Sequence, residues 1–246
     1  MSDEQPRAAV VVLAAGSGSR VGHDLNKALL PLGGKPLFAW SLETAAESPH
    51  AARVLLVVAE RDRSLDEVTA VASRLNAEIV VGGDNRHESE RLALESLAAD
   101  IEGDRLDVVV IHDAARPLAT AELLETVIAT AHRRGGAVPV RPQPSVIAAD
   151  DRDRASVQGE FVAVQTPQAF RAGPLLVAYR AAHAQKFVGT DTASCVQAFT
   201  DLEVVGVPGS ADNLKVTFAD DLAVVERLMS LTPGGAERPP GDRPGR

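Results

Sequence analysis

With 246 residues, 45% of them hydrophobic and 24% charged, the chain has an ordinary globular composition and length enough for one large α/β domain or two small ones. Its formal net charge of -9 argues against a general nucleic-acid or membrane-surface binder, and its lone cysteine, Cys195, leaves no intramolecular disulfide or thiolate metal cluster to expect. The polar, acidic opening Met1 to Pro6 is unlike a signal or transit peptide, and no apolar run approaches membrane-spanning length, so the expected location is the cytoplasm.

The first predicted element is a buried strand over the apolar, β-branched run Ala9 to Ala14. It empties into Gly16-Ser17-Gly18-Ser19-Arg20, with Lys27 seven residues further on. A helix over Leu37 to Ala46, a strand over Arg53 to Val58 and a helix over Leu65 to Leu75 follow, the helices marked by apolar residues at three- and four-residue spacing. Glu78 to Val81 reads as a short strand, Glu88 to Ala99 as a helix and Asp107 to Ile111 as the clearest strand of all. A helix over Ala121 to Arg133 is predicted to start at the N-cap Thr120, with Glu122 favourable at its positive end. Strands over Ala137 to Val140 and Glu203 to Val207 complete the set, and with only 3% aromatics the core must be built mainly from Ala, Val and Leu.

Two segments break this alternation. Arg141 to Gln165, rich in Pro, Asp and Arg, is too long for an idle connection and reads as an arm, lid or β-hairpin extension. Pro233 to Arg246, rich in Gly and Pro, reads as a disordered tail. With no internal repeat or splitting linker, the expectation is one domain over residues 1–231, an arm at about 141–165 and a tail over 232–246. Continuous apolar strands alternating with helices predict an α/β, Rossmann-like fold with a mostly parallel sheet and helices on both faces. Ligands of such folds sit outside the carboxyl ends of the strands, so the loops Gly16 to Lys27, Gly82 to Ser89 and His112 to Pro117 should share a crevice.

The residues of those loops suit a polyphosphate. Glycines let backbone N–H groups form a nest for phosphate oxygens, and Arg20 and Lys27 add full positive charge. The dinucleotide fingerprint is excluded because Val21 stands where its third glycine belongs, and the P-loop because no Gly-Lys-Ser/Thr occurs. A tight turn with two solvated cations is the bland alternative. Asp113, in His112-Asp113-Ala114-Ala115-Arg116-Pro117, suits a magnesium ligand at a strand's carboxyl end, or else a turn cap paired with Arg116. In Gly82-Gly83-Asp84-Asn85-Arg86-His87-Glu88-Ser89, Asp84 and Ser89 could address a base edge, or the segment is simply a loop with an N-cap. Lys215 brings a third cation back to the crevice unless it is a surface lysine. His112 reads as structural, and no Ser-His-Asp or Cys-His arrangement offers a nucleophile.

Taken together, "LAAGSGSR" with Lys27, "GGDNRHES", "HDAARP", "AVQTPQAF", "GTDTAS" and "DNLKVT" occur in the order seen in 2-C-methyl-D-erythritol 4-phosphate cytidylyltransferases. The chain resembles that family from about Ala8 to Met229, and ribitol-phosphate cytidylyltransferases share most of these segments. The resemblance implies a nucleotidyltransferase-type sheet with a projecting β-arm, and transfer of CMP from CTP to a phosphorylated sugar alcohol with release of pyrophosphate. It implies that Ala14, Ala15, Gly16, Gly18, Gly82, Asp84, Ser89 and Ala114 bind the nucleotide, and that Arg20, Lys27 and Lys215 are the catalytic cations. Asp113 would hold Mg²⁺, and Arg116, Thr166, Thr190 and Asp212 would face the acceptor. The arm, by the same resemblance, implies a homodimer with shared active sites. Departures fall on the acceptor side. Ser145-Val146-Ile147-Ala148 stands where the family carries Asp-Thr-Ile-Lys, and Gln158 where it places an arginine. Arg141, Arg152, Arg154 and Lys186 are the cations available to compensate, and Leu13 replaces a common proline. Those losses keep two other readings open, namely a different polyol phosphate such as ribitol 5-phosphate as acceptor, and a CTP-binding protein without transfer activity.

Overall fold

The structure, a computed structural model, describes residues 5–16, 26–143 and 160–231. Strand β1 (Ala8–Leu13) leads to a 3₁₀ turn at Lys27–Leu29, a small hairpin of β2 (Pro31–Leu32) and β3 (Lys35–Pro36), and α1 (Leu37–Ala46). Gly33 and Gly34, both at positive φ, make the two-residue turn of that hairpin. Strand β4 (Ala51–Val58), α2 (Asp66–Arg74), β5 (Glu78–Val81), α3 (Arg86–Ser96), α4 (Ala98–Glu102) and β6 (Val108–Asp113) follow. The remainder is α5 (Ala121–Arg134), β7 (Gly136–Gln143), β8 (Phe161–Val164), β9 (Gln168–Arg171), α6 (Ala172–Ala184), α7 (Thr192–Phe199), β10 (Val204–Pro208) and α8 (Ala219–Leu231). Thr120 caps α5 as expected, its hydroxyl accepting from Leu123 N at 3.2 Å.

The main sheet runs in the order β10-β7-β9-β6-β1-β4-β5, with β8 attached to β7. β1 pairs in parallel with both β4 and β6, and β4 with β5. Because the residues of β1 point alternately to two faces, its unbroken apolar run is needed on both. Ala8, Val10 and Val12 pack with Phe38 and Leu42 of α1, Val68 of α2 and Ile128 of α5. Ala9 and Val11 pack on the other side with Leu94 of α3, Leu175 and Tyr179 of α6 and Val196 of α7. Helix α8 sits apart, burying Val225 against Leu32, Leu37 and Val216.

The mostly parallel α/β sheet with helices on both faces is therefore what the strand runs predicted, with every predicted strand present to within three residues at either end. The small β2–β3 hairpin was not predicted, and neither was one strand of the main sheet. β9 enters antiparallel between β6 and β7, pairing Val110 with Ala169 on one side and Ala137 with Ala169 on the other. The expected arm begins as an antiparallel pair in which Val140 faces Val164 and Gln143 faces Phe161. The rest of it, with Val146, Ala148, Arg152, Arg154 and Gln158, lies outside the described residues, as do Gly18, Arg20 and the tail. Among the described residues no helix is long and apolar enough to cross a membrane.

Gly136 shows how closely this core is packed. A Cβ there would stand 2.7 Å from Cδ1 of the fully buried Phe170 ring. Gly136→Ala is expected to cost about 1–3 kcal/mol in urea unfolding, as overpacked cores do. Much of that cost should vanish in a Phe170→Leu background, giving a non-additive double-mutant cycle.

Candidate active site

The chain runs from β1 outward to β4 and β5, then returns to place β6 on the other side of β1. That reversal makes a crevice outside the carboxyl ends of β1 and β6, where Leu13 and Asp113 are register partners. A cleft of about 290 Å³ opens there. It is lined by Ala14, Ala15 and Gly16 after β1, by Asn26 and Lys27, by Gly83 to Arg86 and Ser89 after β5, by Asp113 to Ala115 after β6, and by Lys215. The described residues of the three loops expected to converge do so.

Each wall has a local reason for its shape. Asn26 is buried, donating from Nδ2 to the Ala14 carbonyl at 2.6 Å and to Asp62 Oδ2 at 2.8 Å while its Oδ1 caps the 3₁₀ turn that begins at Lys27. Asn85 is the N-cap of α3, accepting from Glu88 N at 2.9 Å. Ser89 is tied into the same loop, accepting from Gly83 N at 3.1 Å and donating to the Asn85 carbonyl at 2.8 Å. A Cβ at Gly82 would meet both Ala15 Cβ and Ser89 Oγ at 2.7 Å, so glycine there lets two loops of the cleft touch.

Asp113 is the electrostatic centre. Its side chain is 10% exposed and receives Lys215 Nζ on Oδ2 at 2.6 Å and Arg86 Nη2 on Oδ1 at 3.2 Å, with Arg116 Nε 4.0 Å away. Burial alone would raise this carboxyl, but Arg86, Lys215 and Arg116 together hold it well below the usual carboxylate range. Arg86 is half-buried, and Glu90 and Asp113 overcome that desolvation to raise its guanidinium above the ordinary arginine value. Behind Asp113, Thr166 Oγ1 accepts from the Asp113 backbone N at 3.0 Å and lies 3.1 Å from His112 Nδ1. The Thr166 carbonyl accepts from Asn213 Nδ2 at 2.9 Å, and Arg116 Nη1 donates to the Asn213 carbonyl at 2.7 Å. Asn213 is thereby fixed two residues before Lys215.

Of the predicted site residues, Ala14, Ala15, Gly16, Lys27, Asp84, Ser89, Asp113, Ala114 and Lys215 line the cleft. Arg116 and Thr166 buttress Asp113 from below. Gly82 packs behind the wall. Thr190 is exposed just before Asp191, the N-cap of α7, and Asp212 lines a separate apolar hollow with Trp40, Leu123 and Met229. Asp113 does pair loosely with Arg116, as the bland reading held, but its closer partners are Lys215 and Arg86. Arg86 was not singled out from the sequence. A cation in the first turn of a helix opposes the helix dipole and signals an anionic partner nearby, which would have drawn attention to it. As for metal ligands, no group of three or more His, Cys, Asp or Glu side chains that could hold a metal ion occurs among the described residues.

A family model described as IspD, 2-C-methyl-D-erythritol 4-phosphate cytidylyltransferase, matches residues 8–230. A protein of that name from Cereibacter sphaeroides is 37% identical over 235 residues, covering 92% of this chain and 98% of its own. Its namesake from Rhodopirellula baltica is 35% identical over 234 residues, covering 90% and 94%. The crystal structure of 2-C-methyl-D-erythritol 4-phosphate cytidylyltransferase from Thermus thermophilus superposes with a TM-score of 0.72 at 30% identity, covering 90% of this chain and 98% of its own.

Burial pushes the His112 imidazole down to about 4. A histidine whose folded value lies below its unfolded value of about 6.5 stabilises fully above that pH and loses its contribution as pH falls towards the folded value. Between about pH 6.5 and 4 the chain should lose up to about 1.4 kcal/mol of stability per pH unit through this group. Urea unfolding of His112→Gln across that range should show a shallower pH slope than the wild type, by as much as one proton.

Proposed function

The chain belongs to the 2-C-methyl-D-erythritol 4-phosphate cytidylyltransferase family, and on that premise we propose how its residues divide the chemistry. It transfers CMP from CTP to 2-C-methyl-D-erythritol 4-phosphate and releases pyrophosphate, a step in isoprenoid precursor synthesis. An oxygen of the acceptor phosphate attacks the α-phosphorus of CTP, and the bond to the leaving pyrophosphate breaks as the new P–O bond forms. The attacking oxygen is already ionised, so no strong general base is required. The barrier lies in bringing two anions together and stabilising the charge of the transition state, which fixed cations in a water-poor crevice address directly.

The triphosphate lies along Ala14, Ala15, Gly16, Gly18 and Ala114, with Arg20 and Lys27 supplying charge. Gly82, Asp84 and Ser89 recognise the cytosine. Lys215 serves the reacting α-phosphate, while Arg116, Thr166, Thr190 and Asp212 belong to the acceptor side. The observation that carries this reading is the Lys215–Asp113 pair, 2.6 Å apart on the rim of a cleft that Lys27 also lines.

Asp113 is the proposed magnesium ligand. It fits because its carboxylate lines the cleft, is held charged by neighbouring cations, and has on Oδ2 a lysine that a divalent ion could replace while Arg86 stays on Oδ1. Magnesium, when bound, neutralises triphosphate charge and polarises the phosphoryl oxygens. Lys215, now on Asp113 Oδ2, would serve the α-phosphate from the same position on the cleft. A cytoplasmic location and a homodimer built through the arm belong to the same proposal. Support for the dimer comes from β8, where Val162 and Val164 are 51% and 41% exposed.

Pyrophosphate release with CTP and Mg²⁺ tests the reading with 2-C-methyl-D-erythritol 4-phosphate, ribitol 5-phosphate or no acceptor. Turnover specific to the first is expected, and turnover only with the second would transfer the acceptor assignment. Lys215→Ala and Arg20→Ala should each lower kcat by about 10²–10³-fold without loss of fold, as removal of one transition-state donor does. Light scattering should give twice the chain mass, and Val162→Asp with Val164→Asp should shift it to that of one chain.

A further inference from the structure

Glu90 is a buried carboxylate that the chemistry above leaves unused. It stands on the face of α3 that also carries Ala93, Leu94 and Leu97, and only 1% of it is exposed. Burial pushes its carboxyl up, against the pull of Arg86, Tyr179 and Thr192. A charge in that position needs partners, and three elements provide them. Arg86 Nη1 lies 2.5 Å from Glu90 Oε1, Thr192 Oγ1 donates to the same oxygen at 3.0 Å, and the Tyr179 hydroxyl donates to Oε2.

Two of these partners carry further contacts away from Glu90. Arg86 holds Asp113 with its other nitrogens, at 3.2 and 3.4 Å. Thr192 is the first residue of α7, two residues after Thr190, in a turn closed by Asp191 capping Ser194 N at 2.9 Å. Gln168 fixes that turn to the sheet, donating to Asp191 Oδ2 at 3.1 Å and accepting from Ala193 N at 3.2 Å. Tyr179 closes the third side, its ring stacked on His87 with centroids 4.7 Å apart. The path from Asp113 through Arg86 and Glu90 to Thr192 is thus continuous, with hydrogen-bonded or charge-paired atoms at every step.

We propose that Glu90 is a positioning residue that couples the nucleotide half of the site to the acceptor half, setting Arg86 and Asp113 in register with the Thr190–Thr192 turn. The proposal rests on the reading above, in which Asp113 serves the triphosphate end and Thr190 the acceptor. Its consequence is that CTP binding at the cleft tightens the start of α7. Acceptor affinity then depends on CTP through Glu90 as well as through the contact between the two reacting phosphates.

Hydrogen exchange of the full chain, with and without CTP and Mg²⁺, tests this without requiring turnover. In the wild type CTP should slow exchange in Gly83–Ser89 and also in Asp191–Cys195. Glu90→Gln keeps the shape and an acceptor for Thr192 but removes the charge facing Arg86. It should retain the CTP effect in Gly83–Ser89 and lose it in Asp191–Cys195. Thr192→Val, which removes one hydroxyl and is the milder change, should do the same and serves if Glu90→Gln fails to fold. Both variants should lower kcat/KM for the acceptor by about tenfold, the size of a typical intersite coupling, with CTP affinity within about twofold of wild type. A purely structural role would alter exchange at α7 equally with and without CTP. That result, or a wild type in which CTP protects only Gly83–Ser89, overturns the proposal. Absence of any CTP protection overturns the nucleotide assignment itself, and the coupling falls with it.

Discussion

A carboxylate removed from water keeps its charge only where cations replace the lost solvent, and the site is organised around that requirement at Asp113. β6 delivers the residue to the crevice beside Leu13, where the buried sheet ends. Arg86 arrives from α3, Lys215 from the segment before α8 and Arg116 from the turn after β6. Three separate chain segments therefore have to be in place before the charge is tolerable. Removal of any one leaves the others facing an under-compensated carboxylate, which costs more than an exposed ion pair would.

The second layer is a strip of polar side chains from the end of β8 into the start of β9. Thr166 supports the Asp113 backbone, Gln165 holds Ser210 and Asn213, and Gln168 holds Asp191 and Ala193. All three side chains are buried and committed to neighbours. A satisfied polar network of this kind fixes one arrangement of the surrounding loops, because sliding any of them would strand a donor or acceptor away from water. The strip thus aligns the lysine-bearing segment, the metal-ligand candidate and the turn before α7 with respect to the same short stretch of chain.

How far this could be read from sequence depended on whether the signal was local. The strands Val54–Val58 and Val108–Ile111 declare themselves because burial on both faces forces unbroken apolar runs, and the crevice follows from strand alternation. β9 does not declare itself. Gln168-Ala169-Phe170-Arg171 is four residues long, holds one aromatic and takes its place from pairing partners far away in sequence. The site divided along the same line. Lys27, Asp84, Asp113 and Lys215 were readable because cations, carboxylates and glycines clustered at predicted strand ends. Arg86 and Glu90 were not, since each gains its meaning from the other and from Asp113. The available hints were a cation in the first turn of a helix, for Arg86, and a charged residue standing in the apolar stripe of the same helix, for Glu90.

The position of β1 has a consequence for how the molecule is made. It is an interior strand of the sheet, yet its two neighbours are synthesised later, β4 beginning at Ala51 and β6 at Val108. The pairing of Ala8 with Val108 joins residues 100 positions apart. Parallel pairings of such separation are slow to form and leave apolar strands exposed in the meantime. Val10 to Leu13 therefore emerge from the ribosome with neither edge covered, and one edge stays open until β6 has been made.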